Sequence, residues 1–553
     1  MEVTVFGAGI SGLSAAHHLM ERGYNVTVYE ATDKSGGLAR SDRSSLNEMS
    51  GVPSEYSWRG FGPWYHNTFE LMKKIPSQRG GNIFDDELSN DMQFFIASDV
   101  AKPSQNPQNF ANKLSKKDLI KFGWDVTKTY ITSGNDSSNK YKQRLSGDHY
   151  RKILSKDGAK IVNQSLGPWT GSDSERASTY LVSNFIVRTM FPGPNALNGP
   201  VGWAVLKGPS NELWFDPWVK HLEDNGVVFN FNSKLVRLIH STVPDVNSGT
   251  VQMTGVIINQ NCSEYNIQCD KIVLAVNPYS TLKILQKTPK LMYMSTNLQN
   301  FEGLTSDTPH VQISFRLIFS DEIQFGKIHE TAIVFNDSEF DITLFSQDAI
   351  FHDDISLGTT SRGDVKTLWS GTATIDSIPG RLYNLPMNQL TKDQFIEEVL
   401  EQIFRCDEFD NMIKKYNNGQ GLQDFNTPDI EVWNSWEFPN EDSSDKVRDS
   451  SQPKWVNNTE NFKYLPNTIS DNINGLYLAG AHTKTNANIY SMEAAVESGK
   501  RAADLISDQD TVIPQHTPFA LSQKNSSYTW WIIVILLIVI LVVIIYFSVR
   551  KWR

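Results

Sequence analysis

Glu2-Val3-Thr4-Val5-Phe6-Gly7-Ala8-Gly9-Ile10-Ser11-Gly12 stands at the start of the chain, and the stretch from here through Glu30 decides the fold. The β-branched run over 2–6 predicts a strand, the Ala/Leu-rich segment to about Arg22 a helix stopped by Gly23, and Asn25 to Tyr29 a second strand. This is a βαβ unit with G-x-G-x-x-G at its first turn. Gly7 permits the tight turn, Gly9 leaves space for a pyrophosphate against the backbone N–H groups at Ile10 and Ser11, and Gly12 lets helix and strand pack closely. Glu30 ends the second strand 18 residues after Gly12, where a carboxylate meets the ribose hydroxyls of a dinucleotide. A carboxylate there repels a 2′-phosphate, so NADP is disfavoured and FAD or NAD remains.

A length of 553 residues predicts three to four domain-sized units at roughly 150 residues each. With 51 basic against 62 acidic residues the net charge is −11, and no basic block precedes the last few residues, so no nucleic acid partner is expected. The three cysteines, Cys262, Cys269 and Cys406, have no metal-binding spacing; they read as free thiols, and no metal site is assigned. Nothing at the N-terminus resembles a signal peptide. At the other end, Trp530 to Val549 gives 20 almost wholly apolar residues, about 30 Å of helix at roughly 1.5 Å per residue, which predicts a single-pass membrane helix. Tyr528, Trp530, Trp531 and Trp552 flank it at interface positions. The expected arrangement is a C-terminal anchor with the catalytic body facing the cytosol, the membrane itself not being specified.

After Glu30 the chain reads Ala31-Thr32-Asp33-Lys34-Ser35-Gly36-Gly37-Leu38-Ala39-Arg40-Ser41, which resembles the second fingerprint of the flavin-containing amine oxidoreductase superfamily. That superfamily includes amine oxidases, phytoene desaturases and hydroxysqualene dehydroxylase. Glu55 to His66, with Gly60-Phe61-Gly62 inside it, is similar to the stretch of desaturase-like members that passes near the flavin ring. Gly475 to Gly480 and Ser491 to Lys500 resemble the C-terminal motif that closes the FAD site. The resemblance implies noncovalently held FAD, with Gly36, Gly37, Arg40, Gly60, Phe61, Gly62, Val236, Gly480, Ala481 and Met492 joining Gly7, Gly9, Ile10, Ser11, Gly12 and Glu30 around it. Val236 would present its backbone to the adenine. A covalent link is not implied, since the flavinylated members use a late cysteine and none follows Cys406.

The chain departs from the family at three places. Ala481, followed by His482, stands where members commonly carry an acid; Leu38 stands where an arginine is usual, with Arg40 as substitute; and His310 to Leu317 lacks the lysine that amine oxidases carry on this strand. No catalytic side chain is assigned.

The fold class is α/β: a discontinuous Rossmann-like FAD-binding domain, an α+β substrate domain on a mixed sheet, and a C-terminal transmembrane helix. The FAD-binding pieces are 1–85, 205–295 and 440–507, and the substrate-domain pieces are 86–204 and 296–439. A linker over 508–528 is expected to be a flexible tether, followed by the membrane helix at 529–549 and a basic tail at 550–553. Val227 to Ile239 is expected to return as paired strands to the dinucleotide sheet.

The implied function is dehydrogenation of a small or lipid-like, isoprenoid-type substrate by hydride transfer to flavin N5, with oxygen or a quinone as electron acceptor. One alternative is an amine oxidase producing imine and hydrogen peroxide. Another is a non-catalytic, membrane-tethered FAD-binding scaffold, suggested by Ala481 and the missing lysine.

Overall fold

The computed structural model describes residues 1–56, 59–133, 140–193, 203–242, 244, 248–307, 310–326, 331–433 and 454–517. Ser57, Trp58, Trp436 and Phe438 lie outside the described residues, as do most of the linker, the apolar run at 530–549 and the basic tail. Among the described residues, no helix is long and apolar enough to cross a membrane.

Five parallel strands form the sheet that carries the glycine turn. They are β1 (Glu2–Phe6), β2 (Asn25–Tyr29), β3 (Val228–Asn230), β4 (Ile272–Leu274) and β5 (Leu476–Leu478), in the spatial order β5-β4-β1-β2-β3. The register sets Thr4 beside Ile272 on one side of β1 and beside Thr27 on the other. Helix α1 (Ile10–Glu21) crosses from β1 to β2 and buries Leu13, Ala15, Ala16 and Leu19 against the sheet. Its last turn closes at Gly23, whose φ of 76° is the left-handed stop that the sequence predicts.

The second sheet has nine strands and is mixed. Ile313–Phe319 lies between Asp429–Val432 and Thr367–Ala373, and the order continues through Thr343–Ser346, Thr331–Phe335, Leu88–Ala97 and Trp203–Leu206 to Gly60–Phe61. Thr331–Phe335 runs parallel to Leu88–Ala97, and the other pairs along this path are antiparallel. Every residue of Ile313–Phe319 and Thr367–Ala373 is buried, which marks them as central strands covered on both faces. Gly60–Phe61 belongs to this sheet, although the sequence groups it with residues 1–85.

Two expectations need correction. Of the segment from Val227 to Ile239, only β3 joins the parallel sheet; Ser233–His240 turns away at Asn232 and pairs with Val251–Gln260 in a separate antiparallel sheet. Asn232 has φ of 54°, a left-handed position where a short polar side chain is tolerated and where strand direction changes. The first half of the expected tether is also not free. Thr511 N–H and Val512 N–H donate to Asp504 Oδ2, Ile513 N–H donates to Asn67 Oδ1 at 2.9 Å, and Gln515 Nε2 donates to Trp64 O at 3.1 Å. Pro514 and the lack of periodicity rule out a helix here, but side chains from elsewhere satisfy the extended backbone.

Candidate functional site

The three fingerprint glycines do different jobs. A Cβ on Gly12 would lie 1.8 Å from Gly7 O, and one on Gly7 would lie 2.5 Å from Ala275 O, so these two are required by close backbone packing. A Cβ on Gly9 would meet only Gly37 Cα, at 3.7 Å, and would project into open cavity. The second fingerprint folds directly over this turn: Gly36 N–H donates to Ala8 O at 2.9 Å, and Gly36 (φ 104°) and Gly37 (φ 57°) take a left-handed path that other residues resist. Helix α1 has neither a capping side chain nor an acid in its first turn, so its leading N–H groups remain available to an anion.

Around this turn lies a cavity of about 1310 Å³. Glu30 lines it, accepting from Ala8 N–H at 2.8 Å through Oε2 and from Thr32 N–H at 2.9 Å through Oε1, which leaves lone pairs free for further donors. Val236 lines it as a β-bulge: Leu235 pairs with Ile258 and Arg237 with Ile257, so Val236 is the extra residue whose backbone is out of the ladder. On the other side, Gly480 follows β5, and its N–H donates to Ser498 Oγ at 2.8 Å. Ser498 sits on helix α4 (Met492–Ser507) and reaches Ser11 Oγ at 3.3 Å, tying the C-terminal motif to the glycine turn. His482 is fully buried, edge-on to Phe301 and Trp455, and burial pushes its imidazole down to about 3, so it is neutral.

The cavity continues to a wall built by the nine-stranded sheet and its neighbours. Tyr56, Arg59, Trp64, Tyr65, Phe185 and Trp203 give it an aromatic side, and Gln312, Thr343, Thr372, Thr374 and Lys454 a polar one. Arg59 donates to Ala39 O and Leu38 O, bracing the second fingerprint, and burial pulls its guanidinium down to about 10. Lys454 is buried at the cavity wall; Nζ donates to Gly171 O at 2.8 Å and to Gln312 Oε1, and its backbone bridges to His310. Burial, with the nearby Arg59 guanidinium, pushes the Lys454 ammonium down to about 7. Behind it, Arg176 pairs with Asp173 and Asp376, while His310 is held neutral by burial. These three ligand-type side chains lie within 4.8 Å of one another, but the guanidinium already supplies their cation.

Of the residues singled out in the sequence, Gly7, Gly9, Ile10, Ser11, Glu30, Gly36, Gly37, Gly60, Val236, Gly480, Ala481 and Met492 line this one cavity. Gly12, Arg40, Phe61 and Gly62 do not. Gly12 is occupied with Gly7, Phe61 is buried edge-on to Trp214, and Arg40 lies over the Trp433 ring at 5.9 Å. The arginine at the cavity wall is Arg59. Sequence reasoning missed Lys454 and the threonines. Lys454 follows a polar run that reads as surface, and only the adjacent Trp455-Val456 hints at burial.

The fold and the cavity define a class: proteins that hold an adenine dinucleotide on a five-stranded parallel sheet and act on a substrate over a second, mixed sheet. The chain belongs to the flavin containing amine oxidoreductase family, which it matches over residues 10–313 and 441–507. It is an FAD-dependent oxidoreductase. The open space at Gly9, the uncapped α1 N-terminus, the ribose-side carboxylate and the unpaired Val236 backbone are all features that FAD fits.

Over 92% of its length, and 85% of the relative's, the chain is 20% identical to the chloroplastic/chromoplastic zeta-carotene desaturase of Arabidopsis thaliana. It is 30% identical over 151 residues to the Lysine-specific histone demethylase 1 homolog 3 of the same plant, a match spanning 22% of the chain and only 9% of that relative. The fold matches the crystal structure of an oxidoreductase from Methanosarcina mazei with a TM-score of 0.59 at 13% identity, covering 92% of this chain and all of that one.

Proposed function

We propose that the protein dehydrogenates a small or lipid-like substrate bound against the nine-stranded sheet, using FAD held without a covalent bond. The observation that carries this reading is the continuity of one cavity from the glycine turn to Trp64, Trp203 and Lys454. When bound, the flavin supplies the acceptor for a hydride from a substrate C–H bond. The chain's own residues do the rest. Gly9, the α1 N-terminus and Glu30 hold the dinucleotide; Phe185, Trp64 and Trp203 exclude water; and Lys454 offers a proton-exchanging amine at the polar wall. Cys262, Cys269 and Cys406 are absent from the cavity lining, which favours the noncovalent mode. Oxygen or a quinone would take the electrons.

Oxidation of a C–N bond to an imine with release of hydrogen peroxide is a second reading, in which the cationic wall at Arg59 and Lys454 disfavours a simple ammonium but admits an amine that also carries a carboxylate. The strand from His310 lacks a lysine, but Lys454 reaches Gln312 from another segment and supplies an amine there. The same contact weighs against one of the two grounds for reading the chain as a scaffold, the missing strand lysine. We also propose that 530–549 anchors the body to a membrane, with the cavity-bearing part on the cytosolic side. The apolar run supports this, being long enough to span a bilayer as a helix.

Four measurements test the reading. Heat-released flavin gives the cofactor and its linkage. Anaerobic mixing with lipids, isoprenoids and amines should bleach the flavin with a true substrate, and peroxide formed under air separates an oxidase from a dehydrogenase; no bleaching with any of them would favour the scaffold. Full-length protein should resist carbonate extraction from membranes, whereas a chain ending at 517 should be released.

A further inference from the structure

We propose that Lys454, Gln312, Thr343 and Thr372 form an oxyanion subsite, selecting a substrate that carries a carboxylate over an amine or an uncharged chain of the same size. The proposal rests on the reading of the cavity as a substrate site and names the class of substrate.

Charge is the first ground. Among the described residues, the cavity lining has a single carboxylate, Glu30, which is at the dinucleotide end and already accepts from Ala8 and Thr32. At the nine-stranded sheet the lining side chains that carry charge are Arg59 and Lys454, both cationic types, while burial keeps the phenols of Tyr56 and Tyr65 protonated. A substrate ammonium would meet two cations there and no anion. The acids behind the wall do not compensate: Asp173 and Asp376 are engaged by Arg176, and burial together with Asp173 holds the Asp341 carboxyl far above its ordinary range, in the neutral form.

Polar satisfaction is the second. Thr343 and Thr372 face each other in register across adjacent strands, are 1% and 2% exposed, and line the cavity. Their hydroxyls have no hydrogen-bond partner. A hydrocarbon would leave both dry and unpaired, at the full desolvation cost of each group. A carboxylate has about four lone-pair sites, enough to accept from both hydroxyls and an ammonium together. Lys454 has the donor to give: an ammonium carries three protons, and Gly171 O and Gln312 Oε1 take two of them.

The pH dependence follows from the groups that face Lys454. Burial, Arg59 and Arg176 push its ammonium down and Asp173 pulls it up, leaving it at about 7; His310 is neutral. An anion binds the ammonium form, so affinity is high below 7 and falls as the amine deprotonates. Asp173, itself pushed up to about 7, ionises over the same range and adds negative charge, which acts in the same direction.

The test is calorimetric titration of the full-length, FAD-loaded protein with octanoate, octylamine and octanol at pH 6. Octanoate is expected to bind at least tenfold more tightly than the other two, and to weaken about tenfold by pH 8. Lys454→Met should lose at least tenfold in octanoate affinity with unchanged flavin content, and Lys454→Arg should retain binding with a flatter pH profile. Should Lys454→Met fail to fold, Thr343→Val with Thr372→Val serves in its place and should lose several-fold. Octylamine or octanol binding as tightly as octanoate, or octanoate affinity unchanged in the variants, would overturn the proposal. A protein that carries no flavin fails the cofactor reading instead, and the ranking of the three probes still decides this one.

Discussion

Asn67 gives both its backbone N–H and its side-chain amide to Glu493 Oε1, at 3.0 and 2.9 Å. Glu493 Oε2 accepts from the next residue, Thr68, through N–H at 2.9 Å and Oγ1 at 2.8 Å. The carboxylate thus caps helix α2 (His66–Met72) from the first turn of α4, and fixes Trp64, Tyr65 and Met492 at the cavity wall on either side of the joint. Removing it leaves several buried donors unpaired, so Glu493→Ala should cost about 3 kcal/mol or more in urea unfolding, and Glu493→Gln less.

Burial pushes the Glu493 carboxyl up to about 7 in the folded protein, against an unfolded value near 4.5. The folded state therefore holds the proton more tightly, and this contribution to stability is present below about 4.5 and lost as pH rises through 7. The difference in unfolding free energy between wild type and Glu493→Gln should shift against the wild type between pH 5 and 8. A parallel pair of pH profiles would show that the carboxylate is ionised throughout.

Gly9→Val and Gly12→Ala should fail in different ways. A Cβ at 9 comes no closer to the backbone than 3.7 Å, at Gly37 Cα, and leads into the cavity, so that variant should fold with wild-type circular dichroism yet purify without yellow colour. The methyl at 12 lies 1.8 Å from Gly7 O and should lower the melting temperature or abolish soluble expression. A yellow, fully loaded Gly9→Val protein would contradict the position of the pyrophosphate.

Lys454 has the opposite linkage sign from Glu493. Its folded value of about 7 lies below the unfolded value of about 10.4, so the unfolded chain binds the extra proton between them, and stability rises with pH over that interval. Between pH 7 and 9, wild type should gain stability relative to Lys454→Met, whatever the offset between the two proteins at pH 7. Thermal melts across that range would show it.

Truncation tests the segment after α4. A chain ending at 517 keeps the contacts of Ile513 with Asn67 and of Gln515 with Trp64 and Glu493, while a chain ending at 508 loses them. The shorter protein should unfold at lower urea, by about 1–3 kcal/mol, because Asn67 is left with a buried unpaired carbonyl oxygen and with one of its two amide N–H groups lacking the acceptor it had at Ile513, the other still donating to Glu493.

What could be read in the sequence was local. The turn from Gly7 to Gly12 and the acid at 30 are legible because backbone geometry dictates residue type within a single βαβ unit. The Val236 bulge left no mark, since an extra residue in a strand shows only against its partner at Ile257 and Ile258. Thr343 and Thr372 read as ordinary strand residues; they become a pair of facing hydroxyls only through strand register. Lys454 was hidden for the same reason, its burial coming from Gly171, Gln312 and Arg59, all more than a hundred residues away in the chain. Arg40 is the arginine nearest the double glycine in the sequence, but the chain doubles back so that Arg59 grips the carbonyls of Leu38 and Ala39.

In the parallel sheet, β1 is the first strand to leave the ribosome, yet the sheet is incomplete until β5, whose first residue lies 470 positions after the last residue of β1. At about 5–20 residues per second, synthesis takes roughly half a minute to a minute and a half to supply that last strand and the helix behind it. Throughout that interval the nascent nucleotide fold has an unpaired edge and an uncovered apolar face, the surfaces that chaperones grasp. Loading with the cofactor must therefore come late, after the C-terminal motif has emerged, and a growing chain stalled short of it would be a substrate for quality control rather than a half-active enzyme.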